Sequence, residues 1–229
     1  MRVRPGRTGR YGPLEVLQQI ARPNDGDAVR LRVLDAAEVV FAERGYRAAT
    51  TREIAERAGI GKRMLFYYFP NKDAVYRAVL ERVITGLVEI HERFRDDPAT
   101  VGVGEAIEGL THFAAANLTA FKVWMREIID GGPHLDSLVR QYIAPLFARG
   151  GAEVERNMIA GTFRPGDPMH MMVSVGGVSL FYFLLLPLLE LVWDRDPLDP
   201  VTITERAVAA RDCLLHGLTG PVGQGGNGR

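Results

Sequence analysis

The sequence predicts an all-α protein with a small N-terminal domain of three helices and a larger C-terminal helical domain, about nine helices in all. Apolar residues recur at helical spacing along most of the 229 residues, and glycines and prolines stand where those stretches end. No alternating strand pattern of convincing length occurs. We place the two domains at residues 27–73 and 74–218, between a flexible basic arm (1–26) and a disordered tail (219–229).

Charge is divided unevenly along the chain, although the net charge is zero. Residues 1–82 contain 16 Lys and Arg against 10 Asp and Glu, whereas residues 83–229 contain 12 against 18. A basic N-terminal module suits a polyanionic partner, and an acidic remainder does not. The Arg-rich arm either contributes to that binding or is a disordered leader without a role.

Cysteine content and the N-terminus both indicate a cytoplasmic protein. Cys213 is the single cysteine, so an intrachain disulfide is impossible. The N-terminal arginines are not followed by the apolar segment of a signal peptide. Residues 171–189 are uncharged and have about the length of a membrane span. Because that stretch contains Ser, Gly and Pro and is flanked by Asp167 and Glu190, we interpret it as a buried interface helix.

The first three helices are predicted from their caps and breaks. Asp27 is the expected N-cap of the first helix, and Gly45 has the position of a C′ glycine at its end. The apolar face of that helix comprises Val29, Val33, Ala36, Ala37, Val40 and Phe41. Thr50 and Glu53 have the spacing of a capping box that opens a second helix, and a third short helix is expected over residues 62–68.

Residues 51–70 have the pattern of a helix-turn-helix. Ala55 is small where the second helix must approach the first, and Gly59 lies in the turn, where a positive φ is needed. The residues expected to point inward are Ile54, Ile60 and Leu65. Pro70 breaks the chain after the third helix.

The remaining helices are predicted from periodicity. Asn71 is expected to cap a long fourth helix that ends near residue 95. The residues expected to form a linker after it are Asp96, Asp97, Pro98, Gly102 and Gly104. The later helical patterns cover residues 105–129, 135–160, 168–193 and 202–217.

Residues 34–80 resemble the DNA-binding domain of the TetR (tetracycline repressor) family. The shared residues are Ala36 and Ala37, Phe41, Gly45 and Tyr46, Thr50 and Thr51, Ile54 and Ala55, Ala58 and Gly59, Tyr68 and Phe69, and Lys72. The resemblance covers about a fifth of the chain. It implies a DNA-binding regulator rather than an enzyme, with no cofactor and no metal.

The resemblance also implies which residues contact DNA. These are Thr50, Thr51, Arg52, Lys62, Arg63, Met64, Phe66, Tyr67 and Lys72. The two threonines would offer hydroxyl or backbone N–H groups to a phosphate, with Arg52 near the same strand. Lys62 would reach a phosphate or a base edge in the major groove, and Lys72 would clamp the backbone.

The third helix departs from the usual family pattern at Gly61, Arg63, Met64, Phe66 and Tyr67. Phe66 lacks the hydroxyl expected at its position, although the following residue has one. Arg63 adds a group able to bind guanine through two hydrogen bonds. The alternatives are that Lys62 and Arg63 form a solvated basic face and that Phe66 and Tyr67 pack in the core. These departures leave the operator sequence unpredictable.

A member of this family would bind an effector among its middle helices. The candidate lining residues are His112, Phe113, Asn117, Phe121, Trp124 and Met125, followed by Ile128. Polar His112 and Asn117 interrupt an apolar stretch, and a ligand would give buried polar groups a partner. Arg126 would either neutralise an anionic effector or face solvent. The mixed aromatic character of these candidates favours a medium-sized, partly apolar ligand. The alternative is that they are ordinary residues of the hydrophobic core.

Residues 168–193 and 202–217 are expected to form a homodimer interface, because an uncharged helix rich in Leu and Phe must be covered. Three functions follow. The first is a dimeric repressor that binds a palindromic operator and is released by a small molecule. The second is a DNA-binding dimer without an effector, which a fully packed core over residues 105–160 would favour. The third, a metal-dependent or hydrolytic enzyme, lacks paired histidine ligands on one helix and a G-x-S-x-G motif.

Overall fold

The computed structural model describes residues 25–93 and 99–219, and all regular secondary structure within these ranges is helical. Its α-helices are α1 (Asp25–Ala48), α2 (Thr51–Arg57), α3 (Lys62–Tyr68), α4 (Lys72–Arg93), α5 (Ala99–Ala116), α6 (Leu118–Ile129), α7 (Leu135–Leu138), α8 (Ala144–Ile159), α9 (Pro168–Leu184), α10 (Leu186–Val192) and α11 (Pro200–Thr219). A π-helical segment, Val139–Ile143, joins α7 to α8. The all-α prediction is confirmed, whereas most of the expected arm and tail lies outside the described residues.

Helices α1 to α3 form the predicted helix-turn-helix domain. Helix α1 begins two residues before Asp27, so the expected N-cap lies inside the helix. Gly45 has φ 71° and ends the regular part of α1, and Gly59 has φ 67° in the turn between α2 and α3. Both values fall in the left-handed region that glycine tolerates. Ile54 and Leu65 are fully buried between the helices, as predicted.

Helix α4 joins this domain to the rest of the molecule. The side chain of Asn71 accepts a hydrogen bond from the backbone N–H of Ala74 at 2.8 Å, which confirms the predicted cap. The helix has one buried apolar face along its whole length, formed by Val75, Tyr76, Val79, Leu80, Val83, Ile84, Leu87 and Ile90. It packs against α1, α5 and α6.

The expected linker glycines are helical, which corrects the sequence prediction. Helix α5 starts at Ala99 and includes Gly102 and Gly104. A Cβ atom at Gly104 would lie 3.3 Å from the Cδ atom of Arg211 on α11. The small residue therefore permits close packing of α5 against α11 and does not mark a break.

Two stretches predicted as single helices are divided. Residues 105–129 break at Asn117, whose φ and ψ of −119° and 32° are not helical. Its side-chain amide donates a hydrogen bond to the carbonyl of Phe113 at 2.9 Å. Residues 168–193 bend by 59° between α9 and α10. Pro187 is in the first turn of α10, where its missing N–H costs little.

The described residues contain no single helix long and apolar enough to cross a membrane. Helices α9 and α10 reach that length and composition only as a bent pair.

Candidate DNA-binding surface and effector cavity

Helix α3 presents a basic and aromatic outer face. Leu65 is fully buried beneath it and fixes the helix on the domain core. The predicted DNA-contact residues Lys62, Arg63, Met64, Phe66 and Tyr67 are all exposed, Tyr67 to 80%. The alternative that Phe66 and Tyr67 pack in the core is therefore wrong. The Lys62 ammonium lies 5.5 Å from the centre of the Phe66 ring, within the range of a cation–π interaction at the surface.

The start of α2 is held by the predicted capping box. The Thr50 Oγ1 atom accepts a hydrogen bond from the Glu53 backbone N–H at 3.2 Å, and the Glu53 carboxylate accepts one from the Thr50 N–H at 3.0 Å. Hydrogen bonds from Thr50 lower the pKa of Glu53. Thr51 is half-buried, and the exposed Arg52 donates to Glu56 at 2.7 Å. The Thr50 hydroxyl is thus used within the helix cap, and phosphate contacts by these residues remain predictions.

Lys72 is placed differently from the expected phosphate clamp. Its ammonium donates to the carbonyl oxygens of Tyr46 at 2.8 Å and Ala49 at 3.1 Å, and it lies 4.5 Å from the centre of the Tyr46 ring. An ammonium has three donors, and a third contact reaches the carbonyl of Arg47 at 3.4 Å. Lys72 therefore ties the end of α1 to the start of α4.

Five side chains form a junction network between the helix-turn-helix domain and the C-terminal domain. They are Tyr46, Asp73, Tyr76, Glu127 and His134. Asp73 accepts a hydrogen bond from the Tyr46 hydroxyl at 3.2 Å and pairs with the His134 Nε2 atom at 2.8 Å. Buried Glu127 accepts from the Tyr76 hydroxyl at 3.0 Å and from the His134 backbone N–H at 2.7 Å. Burial, followed by the nearby Glu127 carboxylate, raises the pKa of Tyr76.

The C-terminal domain contains a partly open cavity of about 440 Å³ between helices α4 and α9. Its lining includes Leu87, Ile90 and His91 of α4, Val103, Ala106 and Leu110 of α5, Trp124 and Ile128 of α6, Leu135 of α7, Leu146, Phe147, Gly150 and Glu153 of α8, and Met171, Met172 and Val175 of α9. The volume lies in the range of small-molecule sites, and the wall is almost entirely apolar.

The predicted effector residues are divided between the cavity wall and other positions. Trp124 lines the cavity, as does Ile128. His112 is exposed on α5 and lies outside the lining, so the expectation that it is a buried polar group is wrong. The Asn117 amide is used at the break between α5 and α6, outside the cavity lining.

Three further candidates pack in the core. Phe113 covers Gly86 so closely that a Cβ atom there would lie 2.4 Å from the ring. Phe121 is buried with its ring 6.0 Å from that of Phe183 in an edge-to-face arrangement. Met125 is half-buried against the same core and does not line the cavity. Arg126 is exposed and donates to the Phe41 carbonyl at 3.4 Å.

Two polar residues of the cavity wall were not predicted from the sequence. Among the described residues that line it, His91 and Glu153 carry the ionisable side chains. The His91 Nε2 atom is buried without a hydrogen-bond partner in the described part of the chain. Nothing in the local sequence distinguishes His91 from exposed His112, because both interrupt apolar helical stretches.

An apolar stripe runs along the outer surface of α9 and α10. Its exposed residues are Met169, Val173, Gly177, Phe181, Leu184, Leu188 and Leu191. Within each helix they follow one another at intervals of three or four residues and so share one face. A Cβ atom added at Gly177 would meet nothing within 4 Å. We call this surface the α9–α10 stripe.

Comparisons with known proteins agree with this architecture. The family model described as bacterial regulatory proteins, tetR family, matches residues 33–79. The HTH-type transcriptional regulator RutR of Escherichia coli (strain K12) is 25% identical over 192 residues, which cover 83% of this chain and 91% of RutR. The HTH-type transcriptional activator FasR of Mycolicibacterium smegmatis is 47% identical over 62 residues, 27% of this chain and 28% of FasR.

Solved structures show the same fold. The TetR family regulator PfmR from Thermus thermophilus has a TM-score of 0.67 at 20% identity, covering 86% of this chain and 97% of PfmR. The ketosteroid transcriptional regulator KstR2 of Mycobacterium tuberculosis has a TM-score of 0.68 at 20% identity, covering 87% and 98% of the two chains. Regulators of this family bind DNA through the helix-turn-helix and act as dimers. Residues 33–79 of this chain thus match the DNA-binding domain of the tetR family, and the chain has the fold of TetR family transcriptional regulators.

Proposed function

We propose that this regulator is a dimeric repressor that binds a palindromic operator and leaves it when an apolar small molecule enters the C-terminal cavity. The observation that carries the proposal is the apolar cavity of about 440 Å³ bordered by α4. The same helix begins at Lys72, beside the DNA-binding helices. A ligand at one end of α4 thus acts on a rigid element whose other end positions the recognition helix.

DNA recognition is assigned to the exposed face of α3. Arg63 is free of ion pairs among the described residues and is the strongest candidate for reading a guanine, since its guanidinium can donate two parallel hydrogen bonds. Lys62 would contact a phosphate or a base edge beside it. Thr51 and Arg52, at the start of α2, would contact the sugar-phosphate backbone, together with the backbone N–H groups there.

The junction network gives the ligand a route to the DNA-binding domain. Leu135 of α7 lines the cavity, and His134 immediately before it contacts Asp73 in the first turn of α4. Glu127 of α6 bonds to Tyr76 one turn farther along α4. A ligand that displaces α6 and α7 would change the orientation of α4, and with it the distance between the two recognition helices of a dimer.

The dimer interface is assigned to residues 168–217, centred on the α9–α10 stripe. Phe181 and Leu188 are each more than half exposed, and a run of such residues over about six helical turns is rarely left in water. Two copies that meet across a two-fold axis would cover both stripes at once. Replacement of Phe181 by Glu should then convert the dimer to a monomer in sedimentation experiments, and a monodisperse dimer in this variant would contradict the assignment.

The alternative function is a DNA-binding dimer without an effector. A packed core over residues 105–160 would have favoured it, and the cavity formed in part by Ala106, Trp124 and Leu146 supports the effector instead. Two structural neighbours of this fold are described as a ketosteroid regulator and a fatty acid metabolism regulator. Ketosteroids and fatty acids are largely apolar, and we extend that chemistry to the effector of this chain.

The test starts from a duplex selected from random sequences by the full-length protein. We expect Arg63→Ala to weaken binding to that site by about 1–3 kcal/mol and to relax specificity at one base pair. Arg140→Ala is the matched control, because Arg140 is exposed on the π-helical segment and pairs with Asp136 at 2.9 Å. Equal affinities for the Arg63 variant and the control would contradict the assignment of α3.

The effector is tested on the same duplex with a set of apolar compounds. A compound that releases the wild-type protein should have no effect on Ala106→Phe, since the larger side chain occupies the cavity while the DNA-binding surface is unchanged. Release of both proteins at the same compound concentration would place the effector elsewhere and contradict the proposal. Failure of every apolar compound to change DNA affinity would favour the effector-free dimer.

A further inference from the structure

His91, on the cavity wall, has one buried polar atom that the protein itself leaves unsatisfied. The Nε2 atom of His91 has essentially no contact with solvent and no hydrogen-bond partner among the described residues. A buried polar group without a partner costs about 1–3 kcal/mol relative to a satisfied one. Since His91 lies on the cavity wall, a bound molecule is the natural source of the missing partner.

A second polar side chain lies on the same part of the wall. Helix α8 approaches α4 at Gly150, where an added Cβ atom would lie 3.5 Å from the Cε1 atom of His91. Glu153 follows one helical turn later on α8 and also lines the cavity. An imidazole of α4 and a carboxylate of α8 therefore both line an otherwise apolar space, near the point where these two helices meet.

The charge of this polar end restricts the ligand. No Lys or Arg is among the described residues that line the cavity, and Glu153 contributes a carboxylate. Arg149, next to Gly150 in sequence, is half exposed and pairs with Glu92 at 3.1 Å, away from the lining. A ligand carboxylate or phosphate would enter an apolar space without a Lys or Arg partner and beside the Glu153 carboxylate, which is costly.

We propose that the effector is an apolar alcohol or phenol whose single hydroxyl binds His91. A hydroxyl both donates and accepts, so it satisfies Nε2 whichever nitrogen of the imidazole carries the proton. When Nε2 carries the proton, the hydroxyl accepts from it and keeps its own hydrogen to donate to the Glu153 carboxylate, directly or through a water. The inference rests on the proposed function in taking this cavity as the effector site, and it adds the chemical class of the ligand and the residue that selects it.

The experiment uses Trp124 as a reporter inside the cavity. The chain has two tryptophans, so Trp193→Phe leaves Trp124 as the single source of tryptophan fluorescence. In this background, 1-decanol and decanoate are titrated against the full-length protein as probes that differ only in the polar group. We expect decanol to bind at least about tenfold more tightly, because only the carboxylate must be desolvated without a partner.

Variants of His91 then identify the contact. His91→Leu should weaken decanol binding about 3- to 10-fold and leave decanoate nearly unchanged, and His91→Gln, which keeps a hydrogen-bonding group, should recover part of the loss. Tighter binding of decanoate than of decanol would overturn the inference. So would equal decanol affinities for His91→Leu and the Trp193→Phe parent, or the absence of any change in Trp124 fluorescence.

Operator binding measured in the same samples separates this inference from the proposed function. Decanol that binds in a His91-dependent manner without changing DNA affinity would support the ligand class and contradict the ligand-released repressor. A different outcome would be a second compound that releases DNA from the His91→Leu variant but not from the Ala106→Phe variant. That result would support the ligand-released repressor and overturn the role of His91.

Discussion

The helix-turn-helix domain and the C-terminal domain solve opposite packing problems. In the first, Ile54 and Leu65 are fully buried between short helices, and the candidate DNA-contact side chains lie outside on α3. In the second, the helices line a cavity of about 440 Å³, and the candidate effector site is inside. A filled core holds a surface in one arrangement for a fixed partner such as DNA. A cavity leaves free energy to be gained when a ligand fills it.

The two regions also differ in where their residues come from. The candidate DNA-binding surface is assembled from residues 51–67, a single continuous stretch. The cavity wall draws on six helices between Leu87 of α4 and Leu180 of α9. Substitutions in the first region should therefore act on one property, whereas substitutions in the second should act on stability, ligand binding and DNA release together.

The largest effect is expected from a buried leucine of the filled core. Leu65→Ala removes a fully buried side chain from α3 and should lower the free energy of unfolding by about 2–5 kcal/mol, measured by urea denaturation. Leu146→Ala is the matched variant in the other domain. Leu146 is half-buried and already borders empty space, so this substitution should lower the free energy of unfolding by about 1 kcal/mol or less. Equal losses would mean that the cavity is closed in solution and would remove the contrast between the domains.

The same contrast explains which elements the sequence predicts. The capping box of Thr50 and Glu53 and the glycine turn at Gly59 are set by neighbours within four residues, so the local pattern is sufficient. Gly104 has the same local signature as a linker glycine, but its small size serves contact with Arg211 of α11. Asn117 interrupts a helix through its own side-chain bond, which periodicity does not reveal.

Residues of the candidate sites follow the same rule. Exposure of Lys62, Arg63 and Tyr67 follows from the position of Leu65 on a short amphipathic helix. For the cavity, helical periodicity finds the apolar residues but does not separate Trp124, which borders empty space, from Phe121, which fills the core. That difference depends on how α4, α6 and α8 pack, and those helices are far apart in the sequence.

A second, smaller effect is expected at the junction network between the two regions. Tyr76→Phe removes one of the two hydrogen bonds to the buried Glu127 carboxylate, and bonds to a charged group are worth about 1.5–3 kcal/mol. Thermal unfolding should reveal the loss. The variant should also reduce the change in operator affinity caused by a releasing compound, since α4 is less tightly held to α6. Tyr67→Phe, at an exposed position, is the control for stability. An unchanged unfolding midpoint would show that Glu127 finds another partner and that the two regions are not joined through it.

The smallest effect concerns a carboxyl group inside the filled core of the N-terminal region. Glu38 of α1 is buried, and its Oε1 atom lies 3.3 Å from the Arg82 guanidinium without forming a hydrogen bond. Burial raises the pKa of Glu38 above its ordinary value of 4.5, Arg82 opposes the rise, and Asp35 adds to it. The folded protein therefore holds the Glu38 proton more tightly than the unfolded chain. Stability from this group is complete below the unfolded pKa and is lost as pH rises through the folded pKa.

Glu38→Gln keeps the shape of the side chain and does not titrate. Its free energy of unfolding should be closest to that of the wild type at about pH 4. As the pH rises to about 7, the variant should become more stable relative to the wild type, by less than about 1 kcal/mol. Urea denaturation of both proteins at the two pH values measures the difference. The Arg82 contact to Asp35 at 2.6 Å remains in the variant, so the change isolates the buried carboxyl. A variant that loses stability relative to the wild type with rising pH would show that the Arg82 ion pair outweighs burial at this position.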